Sequence, residues 1–86
     1  MLDKKAAKKA IAENLSALMD AFSLSQSELA RRAQVKQVFI SRLLRETMLP
    51  NCVDLGNVAE VFGTTGDALM RKNTAKNLLK NLQHSA

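Results

Sequence analysis

Apolar residues in this chain recur at intervals of three and four from one end to the other, and no stretch alternates in the two-residue rhythm of a strand. That periodicity predicts helices throughout. Ile11, Leu15, Leu18 and Phe22 form one stripe, which places a helix over about 5–22 with lysines and Asn14 on its remaining surface. Ser25 with Glu28 three residues later is a capping box, and it starts a second helix near Gln26. Leu29, Ala30 and Ala33 face inward there, Val35 follows a short break, and Ile40, Leu43 and Leu44 give a third helix over about 37–45. After Pro50, Asn51 is placed to cap a fourth helix with Cys52, Leu55, Val58, Ala59 and Phe62 on its stripe and Gly63 as its stop. Thr64 or Thr65 caps a short piece ending near Leu69 and Met70. Ala75, Leu78, Leu79 and Leu82 form the last stripe, and these two pieces are free to run as one helix. The expectation is a compact all-α fold of five to six helices, with Cys52 as a small buried hydrophobe.

Length and composition narrow the functional classes. At 86 residues, 47% of them hydrophobic, the chain has material for one small core and not for two domains. Catalysis finds no constellation of side chains: the sole histidine is His84, the sole cysteine is Cys52, and Gly56, Gly63 and Gly66 cluster in or beside the fourth helix instead of forming a phosphate loop. The chain reads as no enzyme, with no metal, cofactor or small-molecule ligand indicated. A single cysteine makes no internal disulfide, and no apolar run reaches the roughly 18 residues of a membrane span, so the expected compartment is the cytoplasm. Lys4, Lys5, Lys8 and Lys9 lie inside an amphipathic helix with no apolar segment behind them, which is unlike a secretory leader.

Charge is segregated along the chain. Of the net +5, residues 25–50 contribute +3 (Arg31, Arg32, Lys36, Arg42 and Arg45 against Glu28 and Glu46). Residues 51–70 carry Asp54, Glu60 and Asp67 with no basic residue, and 71–86 carry Arg71, Lys72, Lys76 and Lys80 unopposed. A folded form can therefore present a basic face, and basic faces suit nucleic acid or an anionic surface.

The stretch QSELARRAQVKQVFISRLLR, residues 26–45, carries the most specific signal. Counted from Gln26, its apolar residues fall at positions four, five, eight, ten, fifteen and eighteen: Leu29, Ala30, Ala33, Val35, Ile40 and Leu43. Two short helices joined by a tight turn need a small residue where they cross, and Ala30 supplies it. With the ISRL that follows, Pro50, and VAEVFGTTGDAL further on, the chain resembles the Cro and phage-repressor type of helix-turn-helix proteins, the lambda-repressor-like family, over about residues 11–70. Where that family often has glycine in the turn, this chain has Gln34, at a cost on the order of 1 kcal/mol for a left-handed backbone. Where it often has Glu near the end of the third helix and Gly just after, this chain has Leu44 and Glu46.

At 100° per residue, Ile40, Leu43 and Leu44 take one side of the third helix, leaving Val38, Ser41, Arg42 and Arg45 on the other and Lys36 and Gln37 at its start. Gln pairs with adenine, Arg with guanine, and Val meets the thymine methyl. The resemblance implies that Gln37, Val38, Ser41 and Arg42 read bases, and that Gln26 contacts phosphate and braces Gln37. Lys36, Arg31 and Arg45 are expected at phosphates, with the lysines of the first helix as further candidates. Phe39 lies between the faces and is expected to pack against the second helix.

One such helix covers only a few base pairs, so a dimer on a palindromic operator is expected, its two reading helices about 34 Å apart. The division follows as residues 1–72 for DNA binding and 73–86 as an amphipathic helix that dimerises through Met70, Leu78, Leu79 and Leu82. The first functional reading is a sequence-specific double-stranded DNA-binding transcriptional regulator, a phage- or prophage-type repressor, complete or as the DNA-binding part of a longer one. The alternatives are an antitoxin that binds a toxin protein and represses its own operon, and a protein-interaction module that has lost DNA binding.

Overall fold

Four of the helices begin at a side chain that accepts a hydrogen bond from the first turn. The computed structural model describes the backbone of residues 3–84 and the side chains of residues 3–80. Asp3 caps α1 (Lys4–Ala21), Ser25 caps α2 (Gln26–Ala33) by accepting from the Glu28 amide at 3.1 Å, Asn51 caps α4 (Cys52–Val61) by accepting from the Asp54 amide at 2.8 Å, and Thr65 caps the one-turn α5 (Gly66–Leu69). Only α3 (Gln37–Leu44), which starts at Lys36, has no capping side chain among these five. The last helix, α6, spans Thr74–His84. No strand occurs among the described residues.

The helix ends share one device. Ser23, Gln34, Glu46 and Gly63 all take left-handed backbone angles, with φ of 56°, 60°, 60° and 73°. At each, the next amide reaches back five residues to a helix carbonyl: Leu24 to Met19, Val35 to Ala30, Thr47 to Arg42 and Thr64 to Ala59, at 2.9 to 3.1 Å. This paired closure satisfies carbonyls that a helix end leaves free, and glycine is its usual pivot. Here three of the four pivots carry side chains.

The core forms where the stripes meet. Ile11, Leu15 and Leu18 of α1, Leu29 and Ala30 of α2, Ile40 and Leu43 of α3, Leu55 and Val58 of α4, and Leu69 of α5 are buried together. The small Ala30 and Ala33 allow α2 to lie close to α3 and α4. The radius of gyration is 12.0 Å, the value of a compact chain of this length.

Four expectations are corrected. Asn14 is buried, 3% exposed, not on the polar face of α1: its amide nitrogen donates to the carbonyls of Leu69 and Arg71, both at 2.8 Å, and its oxygen accepts from the Ala75 amide at 3.0 Å. It thus ties α1 to the end of α5 and the start of α6. Those two helices are not continuous, because residues 70–73 turn through Asn73 at φ 68°. Cys52 is exposed at the first turn of α4, where the inward positions begin at Leu55. Phe22 leaves its stripe too; it is 40% exposed and sets its ring edge-on to Phe62, centroids 5.2 Å apart.

Candidate nucleic-acid interface

The α2–α3 unit is built so that one face of α3 has no work to do inside the fold. Ile40 and Leu43 are fully buried and Leu44 is half-buried, so helical geometry turns Gln37, Val38 and Arg42 outward. All three are exposed, Val38 at 47%, and Ser41 is half-buried on the same side. Among the described residues, the side chains of Lys36, Gln37 and Arg42 join no hydrogen bond or ion pair. An aliphatic residue between an amide and a guanidinium, all facing solvent, contributes little to the stability of this domain.

The turn sets the angle of that face. Gln34 at φ 60°, ψ 41° closes α2, and Lys36 in extended conformation opens α3 within three residues. Val35 between them is half-buried against the core, as is Phe39, which packs inward as expected. A groove flanks α3 on its outer side, lined by Lys36, Val38, Phe39, Arg42, Met48 and Asp54. Asp54 is held there by the Asn51 side-chain amide at 2.9 Å.

The five basic residues of the unit divide into two groups. Arg31 and Arg32 both reach Glu28, Arg31 by hydrogen bond and ion pair and Arg32 at 3.4 Å. The Arg31 hydrogen bond, with Arg32 contributing less, holds the Glu28 carboxyl below its ordinary 4.5. Lys36 and Arg42 are unpaired among the described residues, and exposed Arg45 makes only a long contact, 3.4 Å, to the Ser41 carbonyl. Gln26 is half-buried at the first position of α2, beside the start of the unit. The side chains expected at bases thus share one face, and of those expected at phosphates Arg31 is already engaged.

Met70, Leu78 and Leu79, expected at a dimer interface, are half-buried against the protein's own core, with Ala75 fully inside; the Leu82 side chain lies outside the described residues. Sequence reasoning missed Asn14. Its only signal was an amide at position i+3 from Ile11 and i−1 from Leu15, inside the arc of the α1 stripe. No group of three or more potential metal-binding side chains converges, and no helix is long and apolar enough to cross a membrane, among the described residues. Comparison with protein-family models, with curated proteins and with solved structures gives no match.

Proposed function

We propose that this chain is a helix-turn-helix regulator of the lambda-repressor-like type, which lays α3 in the major groove of double-stranded DNA and binds a palindromic operator as a dimer. The observation that carries the reading is the outward face of α3, where Gln37, exposed Val38 and Arg42 stand together with no intramolecular role. A helix about 10 to 12 Å across with its side chains fits a groove about 12 Å wide. Gln37 is suited to adenine, Arg42 to guanine, Val38 to a thymine methyl, and Ser41 to either kind of partner. Lys36, Gln26 and Arg45 flank that face as phosphate contacts, and Arg31 joins them by exchanging Glu28 for phosphate. Dimerisation uses the half of the α6 stripe that the core leaves uncovered, near Leu78 and Leu79.

A binding panel on single-base variants of a selected site tests the assignment. Arg42→Ala relaxes preference at one base pair and costs about 1 to 3 kcal/mol, while Lys36→Ala weakens all sites nearly equally. Equal loss at every site from Arg42→Ala, with a position-specific loss from Lys36→Ala, would reject it.

One observation favours a second reading. Val53, 72% exposed, and Leu49, 37% exposed, lie in or just before the first turn of α4 and suit a protein partner, such as the toxin bound by an antitoxin. A stoichiometric complex with the product of an adjacent gene would favour it; retention on the operon's own duplex would then point to the antitoxin, and no retention on any duplex to a protein-interaction module.

A further inference from the structure

Most of the positive charge is not on the α2–α3 unit. Residues 1–10 carry Lys4, Lys5, Lys8 and Lys9 against Asp3, and residues 71–80 carry Arg71, Lys72, Lys76 and Lys80 with no acid; these segments are net +3 and +4. With the whole chain at +5, everything between them is net −2. The fold brings the two basic segments together, because α6 packs along α1, Asn14 pins its first turn, and Lys9 and Lys72 line the same groove. Of this group, only Lys9 and Arg71 pair with a carboxylate among the described residues. The result is a lysine ridge shared by two adjacent helices.

That ridge is far from α3. The outer groove wall that Leu44 forms with α1 involves Ser16, Ala17 and Asp20, whereas the lysines sit at the start of α1. From Lys5 to Ala17 the helix rises about 18 Å. α3 turns its buried side toward α1, so its exposed face looks away from the helix that carries the ridge. One stretch of backbone a few phosphates long does not touch both.

The ridge is also dry-side poor. Among the described residues the exposed large apolar side chains, Phe22, Val38, Leu49 and Val53, all lie elsewhere, and Leu78 and Leu79 are turned partly into the core. A helix that settles into a lipid surface needs a broad apolar face to insert, and between Lys9 and Lys72 this surface offers only Ala6, Ala10 and half-buried Met70. Lysines at i and i+4 on α1 and α6 stand about 6 Å apart along each helix, a spacing suited to a strand of phosphates.

We propose that the α1–α6 lysine ridge is a second, sequence-independent surface for the phosphate backbone of double-stranded DNA, so that one protomer holds two duplex segments, one on α3 and one on the ridge. The full chain is compared with Lys4→Gln/Lys5→Gln/Lys76→Gln/Lys80→Gln, four exposed positions with no core contact, after circular dichroism confirms equal helix content. Binding to a random-sequence duplex is measured across salt concentrations. Loss of four phosphate contacts lowers the slope of log K against log salt by about 3 to 4. In a second assay, protein on a bead-bound duplex captures a free labelled duplex, and the variant loses that capture. Gln37→Ala/Arg42→Ala keeps the ridge's share of the slope, so failure of sequence reading and failure of the ridge are separable. An unchanged slope, or capture that survives in the variant, overturns the proposal. So does lysine-dependent sedimentation with phosphatidylserine vesicles where duplex binding is the same for both proteins.

Discussion

α3 and α6 are both short amphipathic helices, yet the fold holds them in different ways. α3 is anchored by apolar burial at Ile40 and Leu43 and aimed by the Gln34 turn, and among the described residues nothing polar from another helix grips it. α6 buries Ala75 alone among its described residues, leaves Leu78 and Leu79 half-covered, and is fixed at its start by the Asn14 side chain of α1. An apolar anchor leaves the opposite face unconstrained, which is why α3 can carry Gln37, Val38 and Arg42 exposed to solvent. A polar clamp fixes where a helix begins and leaves the direction of its far end to weaker contacts.

If that contrast is right, substitutions in the two anchors differ in extent as well as in size. Ile40→Ala opens a cavity in the shared core and costs about 3 kcal/mol, seen as a lower denaturant midpoint and uniform loss of amide protection. Asn14→Ala leaves the Leu69 carbonyl and the Ala75 amide without partners, with the Arg71 carbonyl keeping only the Thr74 hydroxyl at 3.2 Å, and costs about 2 to 3 kcal/mol. Its loss of hydrogen-exchange protection should be concentrated in residues 74–80, with 37–44 protected until global unfolding. Equal protection loss in both helices would show that Asn14 is an ordinary core residue and remove the contrast.

The turns give a smaller effect of opposite sign. Gln34→Gly and Glu46→Gly each relieve a left-handed non-glycine residue, and each should raise stability by about 0.5 to 1 kcal/mol by thermal unfolding. A loss at Gln34 alone would mean that its side chain has a role in setting α3. Smallest is a pH effect at Glu28. Its carboxyl titrates below its ordinary 4.5 in the folded chain, so its contribution is present above pH 4.5 and is lost as pH falls through the lower folded value. Glu28→Gln should therefore lower Tm slightly at pH 6, with the difference shrinking as pH falls below 4.5, and a difference that does not shrink in acid would assign the loss to the cap instead.

What the sequence made legible follows the same division. The register of α3 was readable because Ile40, Leu43 and Leu44 leave only one arrangement for Gln37, Val38 and Arg42. The Ser25 and Asn51 caps, and the α5 cap as one of Thr64 and Thr65, were legible for a related reason: short polar side chains before a periodic run have a local partner three residues on. Asn14 was not legible, since its partners Leu69, Arg71 and Ala75 lie more than fifty positions away and periodicity reports only apolar burial. Cys52 was misplaced because a stripe of threes and fours admits it, while α4 turns inward only from Leu55. The break between α5 and α6 depends on that same clamp together with Asn73, whose left-handed backbone a periodicity count does not see.

The most direct test of the central claim is selection of a randomised duplex library by the purified chain, with the bound DNA sequenced. A regulator that reads through α3 should enrich a palindrome whose half-sites lie about one helical turn apart, and Gln37→Ala/Arg42→Ala should erase the enrichment. Retention of DNA with no enriched sequence, or enrichment untouched by those substitutions, would contradict the claim that α3 reads bases.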